Sequence, residues 1–211
     1  MVVYPFQHVV STEAELREVV GEPGDLVLRK QLSVLDAHCR TFIARSPFVL
    51  VGTAGACGAC DVSPRGDGPG FALVLDDWTL LIPDRPGNRR VDGFRNVLEN
   101  PHVGLLFVIP GMEETLRVNG RACIVRDADL MARMAVGGKH PALALAVEVE
   151  DAFLHCAKAF KRSRLWQAET WPDRADLPSL GKMLLDQVKP KDTTAEELDD
   201  LIEESYAKRL Y

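Results

Sequence analysis

The densest cluster of residues able to do chemistry is Pro83-Asp-Arg-Pro-Gly-Asn-Arg-Arg90. It follows an apolar run and opens a helical stretch. Arg85, Arg89, Arg90 and Asn88 therefore gather at a helix N-terminus, where free backbone N–H groups and the dipole favour an anion. The planar guanidinium fork suits phosphate oxygens. The loop reads either as a phosphate-binding element or as a solvated turn whose arginines pair with Asp84 and Asp92. Spacing alone leaves both open. Asp61-Val-Ser-Pro-Arg-Gly66 is a second cluster, also between two strands. It offers the Ser63 hydroxyl and the Arg65 charge beside the flexible Gly66-Asp67-Gly68 turn. Taken singly it is an ordinary hairpin loop, but two Arg loops on neighbouring strands can face one anionic ligand.

The third cluster is His155-Cys-Ala-Lys-Ala-Phe-Lys-Arg-Ser163. If helical, it places His155, Lys158 and Arg162 on one face. That face is either a solvated stripe or the completion of a ligand shell from a partner chain. Cys57-Gly-Ala-Cys60 is a single C-x-x-C. A structural zinc site needs four ligands, and a thioredoxin-type motif opens a helix after a strand. This pair sits in an expected hairpin and reads as a glycine-rich turn, with redox activity as the alternative. His8, His38, His102 and His140 are scattered without metal-ligand spacing, so no metal site is expected. The chain contains no G-x-S-x-G, P-loop or G-x-G-x-x-G motif.

The elements that must position these residues follow from periodicity. The first 45 residues read as helical. A capping box at Thr12 and Glu15 precedes an apolar face of Leu16, Val19 and Val20. A second helix spans about Val34 to Arg45 and is stopped by Pro47. Strands are expected at 48–53, 70–75, 79–82, 103–109, 115–125 and 142–149. In the fifth, Leu116, Val118, Gly120, Ala122 and Ile124 share one face. Helices are expected at 91–100, 127–136, 156–167, 177–188 and 193–210, the last with a Thr193/Glu196 capping box. Six short strands joined by tight turns suggest an antiparallel barrel with peripheral helices. The order of elements argues against a doubly wound parallel sheet.

The 211 residues carry 25 Lys+Arg against 31 Asp+Glu, a net charge of −6, which argues against a nucleic-acid partner. No run approaches the roughly 18 apolar residues of a membrane helix. Met1 to Ser11 lacks the pattern of a signal peptide. Five cysteines, an odd number, read as reduced thiols and a cytoplasmic setting.

Taken together, Asp61–Gly66, Gly70-Phe71, Leu80–Arg90, Asn96–Pro101, Gly104–Gly111 and Glu114–Ala122 resemble the pyridoxamine 5′-phosphate oxidase-related FMN-binding proteins, in particular an uncharacterised bacterial subgroup. His155-Cys-Ala-Lys158 and Arg164-Leu-Trp166 share the likeness, which runs from about Phe48 to Trp166. It implies an α+β, mainly β, split β-barrel and a homodimer with FMN at its interface. The chain then reads as a barrel domain over 47–170 with an added N-terminal helical extension over 1–46 and a C-terminal helical extension over 171–211, compact as one domain. Ser63 and Arg65 would lie beside the flavin, Pro83 and Asp84 along the ring or ribityl chain, and Asn88 and Arg89 at the phosphate. Lys158 and Arg162 would come from the other subunit, with Trp166 near the flavin. The implied activity is an oxidoreductase acting on an unknown small molecule. A non-catalytic flavin- or haem-binding protein and a deazaflavin-dependent reductase are the alternatives. The chain departs from the vitamin B6 oxidases at its C-terminus. An acidic helix, Glu196 to Tyr211, stands where those enzymes carry an Arg-rich substrate segment, which argues against vitamin B6 oxidation.

Overall fold

The computed structural model describes residues 5–211, so the first four residues of the stretch read for a leader lie outside it. The chain divides into two units, one ending at Gln31 and the other spanning Leu32–Tyr211. The first unit holds α1 (Glu13–Val20) and α2 (Asp25–Arg29). Thr12 caps α1 by accepting from the Glu15 N–H, while the Glu15 carboxylate accepts from the Ser11 N–H at 3.1 Å.

The second unit begins with α3 (Ala37–Arg45). This helix starts three residues later than periodicity suggests. Asp36 is its N-cap and accepts from the Cys39 N–H at 2.8 Å. Cys39, Phe42 and Ile43 are buried in the main core. α3 therefore belongs with the strands in the second unit, and the first unit ends at Gln31.

Seven strands follow, where about six were expected. They are β1 (Phe48–Ala54), β2 (Cys60–Gly66), β3 (Leu73–Val74), β4 (Thr79–Pro83), β5 (His102–Val108), β6 (Thr115–Val125) and β7 (Ala144–His155). The additional strand is β2, expected as a loop because Asp61, Ser63, Pro64 and Arg65 break the apolar pattern. It is an edge strand whose far side needs no ladder partner, a place where a strand tolerates Pro64. The expected 70–75 strand shrinks to two residues, and the sixth expected strand extends to His155.

Interleaved helices are α4 (Asp92–Glu99) after β4, α5 (Ala128–Arg133) after β6, and α6 (Lys158–Ser163) after β7. The last two are α7 (Leu180–Val188) and α8 (Ala195–Lys208). His155 ends β7, so the expected helical stripe of His155, Lys158 and Arg162 does not form. The last capping box uses Thr194 and Glu197, one residue beyond the expected pair.

All strand pairs are antiparallel in the order β2-β1-β5-β6-β7-β4-β3. Alternation sends Val49 and Val51 of β1, Leu105 and Phe107 of β5, and Leu116 and Val118 of β6 inward. Burying each such side chain contributes about 1.5–3 kcal/mol. On β7 the inward set runs Val147, Val149 and then Ala152. The change of phase comes from a bulge at Glu150, where the register with β6 shifts between Asn119 and Gly120. Gly120 is required there, because a Cβ would collide with the Glu148 carbonyl. A smaller core of Leu81, Met131, Met134 and Ala144 lies under α5.

The sheet curls until β2, at one edge, meets the end of β4, next to the other edge. Arg65 on β2, at one end of the strand order, pairs with Asp84 just past β4 at 3.0 Å. Arg85 reaches Asp67, beyond β2, at 2.6 Å. β2 and the end of β4 touch through side chains and not through a backbone ladder. This is the α+β split barrel that the resemblance implies, and the candidate site lies in the split.

Candidate functional site

Four elements converge on the split. Val51 and Thr53 of β1, Ser63 and Arg65 of β2, Ile82 and Pro83 of β4, and Gly93 and Phe94 of α4 line one cleft, with Leu145 of β7 at its floor. β1 and β2 place Thr53 and Ser63 on a shared inward face because side chains alternate with period two. α4 lowers its first turn onto that face. An ideal Cβ on Gly93 would stand 3.6 Å from Thr53 Oγ1 and 4.0 Å from Ser63 Oγ. Asn96, one turn on, locks the arrangement. Its Nδ2 donates to Thr53 Oγ1 at 3.0 Å and to Asp61 Oδ2 at 2.8 Å.

Arg65 is the central charge. Its guanidinium bonds Asp84 Oδ1 at 3.0 Å and lies 5.4 Å from the centre of the Phe94 ring. About a quarter of each partner's side chain is exposed. Burial pushes the Asp84 carboxyl above its ordinary range, and the Arg65 charge pulls it part of the way back. The site therefore holds a cation beside a carboxyl group whose burial favours its neutral form and whose ion pair opposes it.

The Pro83–Arg90 loop does not act as one cluster. Arg85 turns away from the cleft and binds Asp67 and the Met134 carbonyl, with Tyr211 over its guanidinium. The Asp67 side chain is 5% exposed. Burial pulls its carboxyl up, but the Tyr211 hydroxyl, the Gly68 N–H and Arg85 together outweigh burial and hold it below the usual value. Arg90 pairs with Asp92 at 2.8 Å, as the solvated-turn alternative supposes. Asp84, which that alternative assigned to a loop arginine, is taken by Arg65 instead.

Asn88 and Arg89 are exposed, before the first turn of α4. Asn88 Oδ1 accepts from the Arg90 N–H at 3.0 Å, leaving its NH₂ group as donor. Arg89 makes no hydrogen bond or ion pair among the described residues. Arg89 and Val91 both take left-handed backbone angles, φ 60° and 54°. For β-branched Val91 that conformation costs on the order of 1–3 kcal/mol. The kink leaves α4 without a side-chain cap, so its first N–H groups stay available to a ligand.

Lys158, Arg162 and Trp166 do not line this cleft. Trp166 stacks on Phe160 with ring centres 5.6 Å apart and donates to the Met112 carbonyl at 2.8 Å. Lys161 pairs with Glu113 at 2.5 Å. The α6 segment is thereby anchored to the turn between β5 and β6. Thr53, Gly93, Phe94 and Asn96 were not foreseen as site residues. The available signal was Asn96, an amide placed beside the buried face of Phe94 and Val97.

A sequence profile of pyridoxamine 5′-phosphate oxidase matches residues 35–156 of the 211. The chain belongs to the pyridoxamine 5′-phosphate oxidase family. The matched span begins at Leu35 and ends at Cys156, covering all seven strands of the split barrel. Among solved structures, the chain is similar to a protein of Clostridium acetobutylicum related to general stress protein 26 of B. subtilis, of the pyridoxinephosphate oxidase family. The two are 19% identical, with 56% of this chain and 85% of that one covered at TM-score 0.43. It is also similar to HutZ, the heme storage protein of Vibrio cholerae, at 18% identity, 57% and 93% coverage and TM-score 0.41. A structure described as an F420 reductase matches at 18% identity, 55% and 94% coverage and TM-score 0.38. No curated protein matches. Among the described residues no helix is long and apolar enough to cross a membrane.

Proposed function

We propose that this member of the pyridoxamine 5′-phosphate oxidase family binds FMN in the split of the barrel and acts as a flavin-dependent oxidoreductase on a small molecule. The observation that carries the reading is the convergence of Ser63, Arg65 and the uncapped start of α4 on one cleft walled by Pro83 and Phe94. Hydroxyl, guanidinium and backbone N–H groups are hard donors. They match the carbonyl, ribityl and phosphate oxygens of a flavin nucleotide better than they match a haem iron, which takes His, Cys, Met or Tyr. Asn88 and Arg89 lie where a phosphate would meet that helix start, with Arg89's cation uncommitted among the described residues.

The enclosed part of the cleft is only about 10 Å³. That is room for a water-sized group, whereas small-molecule sites hold about 300–1,000 Å³. One chain therefore receives an edge of the ligand and leaves the remainder uncovered. This supports a homodimer in which Lys158, Arg162 and Trp166 of a second copy complete the site.

When bound, FMN would supply the hydride and electron transfer. The chain's own residues would orient it and set the local charge. Arg65 holds a positive charge in the cleft, where it favours any developing negative charge on a ring edge. Asp84 keeps that guanidinium aimed and takes up a proton more readily than a free carboxylate. Pro83 and Phe94 exclude water from the inner wall. The test is the visible absorption spectrum of freshly purified protein, with mass identification of what acid releases. Released FMN near one per chain supports the reading. Haem or a deazaflavin in its place refutes the FMN assignment, as does a colourless protein that takes up no added FMN.

A further inference from the structure

A second chemistry-bearing feature lies outside the cleft, on the turn between β1 and β2. This turn carries Cys57 and Cys60, both exposed and both free thiols. Its geometry is defined by two backbone bonds, Gly58 N–H to the Gly55 carbonyl and Gly55 N–H to the Ala59 carbonyl, each 2.9 Å. Gly58 takes φ 82°, a conformation open to glycine at no steric cost, and so folds the chain back between the two cysteines. Cys60 opens β2 opposite Ala54, yet its thiol does not follow the strand outward. Its Sγ lies 3.4 Å from the Gly58 carbonyl, turned back over the residue that adjoins Cys57.

The same turn is fastened to α4. The Ala56 N–H donates to Glu99 Oε2 at 3.2 Å, on the last turn of the helix. Asn96 holds both flanks of the turn through Thr53 and Asp61. Gly55 fits closely, since a Cβ there would stand 3.3 Å from both Asn96 Oδ1 and Glu99 Oε2. Displacing Cys57 toward Cys60 therefore pulls on the Ala56–Glu99 bond, at the far end of the helix whose first turn lines the cleft.

We propose that Cys57 and Cys60 form a reversible disulfide, a thiol-modification site driven by a peroxide or a disulfide oxidant and transmitted to α4. With hydrogen peroxide, one thiolate attacks the peroxide and becomes a sulfenic acid, releasing water. The second thiol then displaces a second water and forms the S–S bond. Two thiols lose two electrons and two protons, and one peroxide is reduced to two waters. With a small-molecule disulfide, the same two electrons and two protons leave as two small thiols by exchange. The site depends on no flavin.

The test uses the whole protein, reduced and then treated with stoichiometric hydrogen peroxide or oxidised glutathione. Four of the five cysteines are exposed, so thiol titration of the folded protein should fall from four reactive groups to two. The intact mass should drop by two hydrogens, peptide mapping should join Cys57 to Cys60, and dithiothreitol should reverse the change. Hydrogen exchange at Ala56 and along α4 should quicken on oxidation. Cys57→Ser and Cys60→Ser should each abolish the mass change, while Cys123→Ser and Cys156→Ser should leave it intact. A bridge that maps elsewhere, or loss of thiols only to sulfinic or glutathionylated forms, overturns the proposal. A Cys57–Cys60 bridge with unchanged exchange in α4 overturns its transmission.

Discussion

Replacing Arg65 with Ala tests whether one ion pair holds the two ends of the split together. Arg65 bonds Asp84 at 3.0 Å with about a quarter of each side chain exposed. A fully exposed pair contributes up to about 1 kcal/mol, and breaking a fully buried one costs about 3–5 kcal/mol. Partial burial and screening place this pair between, at about 1–2 kcal/mol at neutral pH. The pH dependence carries the sharper information. Burial already raises the Asp84 carboxyl above its ordinary range, and Arg65 is what pulls it back. Without Arg65 the folded-state value climbs further. A folded-state value above the unfolded one makes stability fall as pH rises between the two. The variant's deficit should thus be largest at neutral pH and shrink toward pH 4, as Asp84 takes up a proton and needs its partner less. Urea unfolding of wild type and Arg65→Ala at both pH values measures this. Asp84→Asn closes a double-mutant cycle and should recover most of the loss at neutral pH. A deficit equal at both pH values, or a coupling below about 0.5 kcal/mol, would refute the argument and reduce Arg65 to a packing group over Phe94.

Arg89→Ala should weaken FMN binding by about 1.5–3 kcal/mol, or roughly 10- to 150-fold in Kd by fluorescence titration, with stability unchanged. His8→Ala is the matched control with unaltered affinity. Asp67→Asn should cost about 1–3 kcal/mol at neutral pH, because a nearly buried carboxylate loses charge-assisted bonds to Arg85, Tyr211 and Gly68. Its folded-state value lies below the unfolded one, so that stability is present above the ordinary carboxylate range and lost as pH falls through the folded-state value. Urea midpoints should therefore converge in acid. Gly120→Ala should destabilise by about 1–3 kcal/mol or more, measured by urea unfolding, since its methyl meets the Glu148 carbonyl and the bulge must move.

Most of the barrel was legible because its strands obey period-two burial. β6 shows this best: its expected bounds, Thr115 to Val125, are those observed, and Leu116, Val118, Gly120 and Ala122 of its expected inward set are buried, with Ile124 partly so. β2 was not legible, since an edge strand beside a cleft is selected for polar atoms and for Pro64, not for apolar alternation. The extension of β7 to His155 was hidden by the bulge at Glu150, which changes the phase of burial within one strand. Helix starts were displaced where a cap side chain sat closer to the helix than periodicity suggested, as with Asp36 before α3 and Ser179 before α7.

The site was legible in its charges and not in its joints. Ser63, Arg65, Pro83 and Asp84 stand out by type, and the fold brings them to one split. What the spacing could not convey is that Arg65 and Asp84 meet only because the sheet curls through six strands, from β2 at one edge to β4, next to the other edge. Nor could it separate Arg85 from Arg89, four residues apart. One is drawn off by Asp67 and the other stands in an exposed kink ahead of α4. Asn96 is the residue that turns these parts into a frame. With one amide it ties β1 to β2 through α4. Removing it strands Thr53 Oγ1 and Asp61 Oδ2 together, so Asn96→Ala should cost about 1–3 kcal/mol in urea unfolding. It should also weaken FMN binding, because the first turn of α4 is then no longer held over Ser63. Lower stability with unchanged FMN affinity would show that the helix start holds its place without this frame, leaving the cleft to Arg65 and its carboxylate alone.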